Sequence, residues 1–168
     1  MWFIGYFYPQ IAVYDDLEIY FNMKGWDFRL THLGVQEFYN DFNNYDVSIE
    51  VPAGFYVWAT GSLTNPEEVY SDKFLRRIQE ARLNDTLVHL LKYDNSENNN
   101  LTGSTWKFEA RKVPDFAFGT TPKCIWDATN IKIEDRRVSI DAVYHPKSDY
   151  FPMVIHEAKK NFRIYFNC

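Results

Sequence analysis

His156 and Glu157 stand side by side in MVIHEAKKNF, residues 153–162, where apolar residues recur at helical spacing. The zinc-protease pattern H-E-x-x-H begins in the same way. In it two histidines four residues apart project from one helical face onto the metal, and the glutamate activates the bound water. Here the second ligand position falls on Lys160, whose ammonium does not ligate zinc and repels it. The pair therefore reads as an ordinary helix surface, favoured by about ten to one because so short a motif often arises by chance. His32, His89 and His145 are isolated in sequence, and each reads as a surface or satisfied core residue.

Asp15 and Asp16 end the run YPQIAVYDD. Adjacent strand residues point to opposite faces, so the two carboxylates do not address one atom unless a turn intervenes. A turn in which Asp bonds the backbone is the favoured reading. Cys124 sits inside the apolar CIW and Cys168 is the last residue, which makes neither a disulfide framework nor a zinc site. No G-x-S-x-G elbow, glycine-rich phosphate loop or paired-cysteine ribbon occurs, and a catalytic centre complete within these residues is not expected.

The elements that must position these residues are mostly strands. With 168 residues the chain is long enough for one domain with a real core, and its 18% aromatic content suits packed sheets. DVSIEV alternates strictly from Asp46, placing Val47, Ile49 and Val51 on one face. Pro52 and the following Ala-Gly predict a turn, with FYVWAT as the second strand of a hairpin. TWKFEA, DFAFGT, CIWDAT and RVSIDAVY continue the series, and TLVHLL reads as a short strand. Asn65-Pro66-Glu67-Glu68 starts a helix, with Asn65 as N-cap and a buried stripe through Phe74, Leu75, Ile78, Ala81 and Arg82. DNSENNNLTGS reads as a surface loop. From Pro152 the positions Val154, Ile155, Ala158, Phe162 and Tyr165 predict a C-terminal helix. The expectation is an all-β fold, a β-sandwich or saddle-shaped curved sheet, with one inserted helix and a C-terminal helix.

The net charge is −5 and the basic residues are dispersed, which disfavours nucleic acid as a partner. No apolar run reaches the roughly 20 residues of a membrane span, and no signal-peptide pattern precedes the first strand-like run, MWFIGYFYP. A soluble polypeptide is expected, in a compartment that two cysteines do not indicate.

Taken in order, IGYFYPQIAVYDDL, then YDVSIEVPAGFYVWATG, then TWKFEARKVPDFAFGTTPKCIWDAT and VYHPKSDYFPMVIHEAKKNF resemble the N-terminal domain of aminopeptidase N-like zinc metallopeptidases, in particular the branch common in Bacteroidetes-type bacteria. The resemblance runs from about Ile4 to Phe166. It implies a saddle-shaped β-domain over residues 1–150, lacking its first strands, and residues 151–168 as the start of the helix leading into a catalytic domain. Zinc and its ligands would belong to that domain of the full-length protein, with no cofactor in this chain. The implied partners are the catalytic domain and a peptide substrate, and the parent would be periplasmic or cytoplasmic.

Members of this branch read Ile-Gly-Gln-Trp-Tyr-Pro where this chain reads Ile4-Gly5-Tyr6-Phe7-Tyr8-Pro9. The resemblance makes Gly5 and Tyr6 the substrate-binding candidates, near the peptide's amino terminus, with Tyr6 offering a hydroxyl but no carboxylate. A second reading, of a different class, is a free-standing β-sandwich module that binds glycan or protein through Trp2, Trp26, Trp58, Trp106 and Trp126. The strand patterns around Trp58, Trp106 and Trp126 instead predict core positions. A sandwich lacking its first strands leaves unpaired edges, so self-association is also expected.

Overall fold

The computed structural model describes residues 1–9, 14–15, 25–26, 41–93 and 100–166. Asp16, His32, Cys168 and residues 94–99 of the polar run lie outside the described residues, so the Asp15–Asp16 pair is not placed.

The alternating segments become strands: β1 (Trp2–Ile4), β2 (Tyr14–Asp15), β3 (Gly25–Trp26), β4 (Asn43–Glu50), β5 (Tyr56–Ala59), β6 (Ser62–Leu63), β7 (Val88–Leu91), β8 (Thr105–Val113), β9 (Phe118–Thr121), β10 (Ile125–Ile133) and β11 (Arg136–Tyr144). They pair antiparallel in sheets of order β1-β9-β5, β11-β10-β7 and β4-β8-β6, with β2-β3 as a separate pair. The fold is mostly β and sandwich-like, as the sequence predicts. Ile49 of β4, Val57 of β5, Trp106 and Phe108 of β8 and Trp126 of β10 share one buried cluster, so three sheets close on a common core. No helix among the described residues is long and apolar enough to cross a membrane.

The expected hairpin at Pro52 does not form. Gly54 takes φ +86° and the Phe55 N–H donates to the Pro52 carbonyl at 3.2 Å, a turn that needs glycine at its third position. The strands it joins nevertheless lie in different sheets: β4 pairs with β8, and β5 pairs with β9. Local turn chemistry set the reversal, while longer-range pairing chose the partners. A second close approach explains Gly61, which has φ +91° and where a Cβ would fall 2.3 Å from the Glu109 carbonyl oxygen.

The inserted helix comes in two pieces, α1 (Pro66–Val69) and α2 (Asp72–Leu83). Tyr70 breaks it by turning extended and bridging to Leu101, which places its ring 5.2 Å from that of Trp106. Asn65 stands at the N-cap but its side chain does not cap. Its amide donates to the Glu68 carboxylate and the Thr105 carbonyl, and its oxygen accepts from the Lys107 N–H at 2.9 Å, tying the helix start to β8. On α2, Phe74, Ile78 and Ala81 are buried as the stripe predicts, whereas Arg82 is exposed.

The C-terminal helix, α3 (Phe151–Phe166), packs back on β10 and β11. Ile155 is its buried anchor, within a second cluster that includes Ile131, Ile140 and Tyr144. Lys159 reinforces the seat by donating to the Asp85 carbonyl and to the Thr129 hydroxyl.

Candidate functional site

Gly5 and Tyr6 follow β1 at the edge of the β1-β9-β5 sheet. Gly5 lies against Ala117, and its ideal Cβ would sit 3.7 Å from the Ala117 Cβ. Tyr6 takes φ +51°, a left-handed conformation unusual for a bulky residue, and its side chain is exposed. The following residues return inward. The Phe7 ring meets Phe116 and Phe118 edge-on, and Tyr8 meets Tyr45 at 5.2 Å. Beneath them runs a polar relay: the Tyr45 hydroxyl donates to that of Tyr8 at 3.0 Å, Tyr8 donates to the Asp115 carboxylate, and the Phe116 N–H donates to the same carboxylate oxygen at 2.6 Å. Two segments more than a hundred residues apart, IGYFYP and VPDFAF, are thus neighbours in space. Alternate residues of β1 point to opposite faces, and Trp2 (68% exposed) and Phe3 (78% exposed) are both uncovered.

His156, Glu157 and Lys160 are all exposed on α3. They do not fit a zinc site, because an ammonium occupies the position of the second ligand. Among the described residues no group of three or more His, Cys, Asp or Glu is placed to hold a metal. Tyr150, Met153 and Val154 are exposed beside them, so the start of α3 carries apolar surface outside its seat on the sheet.

The arrangement that sequence reading missed is on the α3-facing side of the β11-β10-β7 sheet. His89 and Asp127 are direct cross-strand partners. The Asp127 side chain is 4% exposed; it bonds the His89 Nδ1 at 2.6 Å and accepts from the Tyr144 hydroxyl at 2.7 Å. A carboxylate at Nδ1 favours the tautomer with its proton on that nitrogen, and the His89 side chain is 56% exposed. Arg77 holds the same strand from α2 by donating to the His89 carbonyl at 2.9 Å. Burial, with the hydrogen bond to Asp127 adding to it, pushes the Tyr144 phenol up to about 12. His89, Lys92, Tyr93, Ile125 and Tyr144 line a cleft of about 660 Å³ over this network. His145 closes one side of the Tyr93 ring at 5.0 Å and bonds its hydroxyl. No sequence signal pairs His89 with Asp127, which lie 38 residues apart, because only the strand order brings them into register.

Trp106 and Trp126 are buried and Trp58 is partly buried against the same core, as their strand patterns predict; Trp2 and Trp26 are the exposed ones. No protein-family model matches the chain, and neither a curated protein nor a solved structure does.

Proposed function

We propose that this chain is a non-catalytic β-domain of a zinc-aminopeptidase-like protein, walling one side of the substrate cleft and steadying the catalytic domain that holds the metal. The supporting observation is the exposed apolar surface at two places: Trp2 and Phe3 on the edge strand β1, and Tyr150, Met153 and Val154 at the start of α3. Such surface on a folded domain marks where another body packs. The occupant this reading assigns is the catalytic domain of the same protein, because α3 is the segment whose sequence resembles the entry into it. Gly5 and the strained Tyr6 would then stand at the cleft rim, with the Tyr6 hydroxyl offered to the amino terminus of a peptide.

The test is elemental analysis for zinc on the purified chain, together with hydrolysis of a panel of aminoacyl fluorogenic substrates. Neither metal nor turnover is expected. Stoichiometric zinc with turnover would overturn the reading and assign chemistry to His156, Glu157 and distant histidines.

A further inference from the structure

We infer that the cleft beside His89 binds a small neutral alcohol with an apolar body, whose hydroxyl donates a hydrogen bond to the His89 Nε2. The inference does not depend on the peptidase reading.

The acceptor is built by the sheet. Asp127 accepts from the His89 Nδ1 at 2.6 Å with one oxygen and from the Tyr144 hydroxyl at 2.7 Å with the other. With the proton of the neutral ring on Nδ1, Nε2 carries a lone pair and accepts. That nitrogen has no hydrogen-bond partner among the described residues, and His89 lines the cleft. Asp127, with its side chain 4% exposed, and Arg77, which donates to the His89 carbonyl at 2.9 Å, hold the ring and its strand in place. Asp127 is thus a positioning residue.

Hydrogen-bond direction, not net charge, selects the ligand's polar group. A carboxylate or an ether carries only acceptors and leaves a neutral Nε2 unmet. An ammonium carries only donors and has no lone pair for Lys92, which lines the same cleft. A hydroxyl donates once and accepts twice, so one atom serves both the imidazole and the Lys92 ammonium. A carboxamide carries both functions, but it brings a second N–H that needs a partner of its own.

The walls select the body. They are Leu91, Ile125, Pro146 and the rings of Tyr93 and Tyr144, around a hollow of about 660 Å³. The Tyr144 and Tyr93 hydroxyls are already engaged, with Asp127 and His145. A few polar groups in an apolar hollow of several hundred Å³ is the usual form of a small-molecule site. Such walls suit one hydroxyl on a hydrocarbon ring better than a polyol, whose other hydroxyls would lose water without gaining partners.

The probe is phenethyl alcohol, titrated into the full chain and followed by the backbone amide resonances of Leu91, Lys92 and Tyr93. Phenethyl methyl ether, phenylacetate, phenylacetamide and phenethylammonium are the comparisons. The alcohol is expected to shift the resonances saturably, and each comparison to bind more weakly by at least about fivefold, the scale of one ordinary hydrogen bond. The ring nitrogen shifts of His89 are expected to show a protonated Nδ1 and a bare Nε2 in the free chain, with Nε2 moving when the alcohol is added and not when the ether is. In His89→Asn the side-chain amide takes the place of Nδ1 against Asp127 and no Nε2 remains, so alcohol and ether should bind equally weakly. Lys92→Met should weaken alcohol and ether alike, because both oxygens accept. No saturable response to the alcohol, any comparison binding as tightly as the alcohol, a protonated Nε2 in the free chain, or an alcohol preference that survives His89→Asn would overturn the inference.

Discussion

The two faces of β10 are built on different physics. One face turns Trp126 and Ala128 into the shared core, where Trp126 meets Trp58 at 5.3 Å and Phe74 at 5.9 Å. The other carries Asp127, Thr129, Ile131 and Ile133 toward α3, whose buried anchor is Ile155. On the first face many rings back one another, and no single contact decides the packing. On the second, a few specific hydrogen bonds and a short apolar patch hold a helix, and a cleft opens beside His89 and Tyr144. Stability is therefore concentrated in ring packing on one side of the strand, and in specific polar contacts on the other.

The sharpest way to break this contrast is to remove a ring from the first face. Phe74→Ala is expected to cost about 3–5 kcal/mol and to lower the urea midpoint of the whole domain. Alkaline titration probes both faces together. Burial pushes the Cys124 thiol up from 9.0 to about 12, and the Tyr144 phenol also rises to about 12. Both groups are kept neutral by the fold, so the stability they contribute is full below the unfolded values and is lost as pH rises through about 12. Denaturant midpoints measured from pH 9 upward should fall, and Cys124→Ala should flatten the early part of that fall.

On the second face the effects are smaller and local. Ile155→Ala is expected to cost about 2–3 kcal/mol. Hydrogen exchange should show α3 losing protection while β8 and β10 keep theirs, since a helix seated by one anchor opens before the core does. Simultaneous loss of protection in both would mean that the two faces form one unit. Asp127→Asn should be the mildest, about 1 kcal/mol, because the amide keeps the shape and one acceptor while the hydrogen bond to His89 loses its charge.

Much of the first face was legible in sequence. Strict alternation located β4 and β8, and the stripe Phe74, Ile78, Ala81 announced the buried side of α2. These are short-range patterns, fixed by the two-residue and 3.6-residue periods of strand and helix. Partner choice was not legible. The turn at Gly54 was read correctly, yet β4 pairs with β8 across more than fifty residues, and no local signal carries that. The cleft failed for the same reason, and a bulge adds to it: the register shifts between Trp126 and Asp127, placing His89 rather than Leu90 opposite Asp127. Gly5 and Tyr6 were singled out by resemblance; the left-handed backbone at Tyr6 is a conformational fact that its residue type gives no reason to expect.

The central claim is that the exposed apolar residues of β1 and α3 form docking surface. Sedimentation velocity of the wild-type chain beside a Trp2→Ser, Phe3→Thr, Met153→Ser variant tests it most directly. On that claim the wild type should self-associate as concentration rises, and the variant should stay monomeric with an unchanged circular dichroism spectrum. A wild type that remains a monodisperse monomer throughout would contradict the claim.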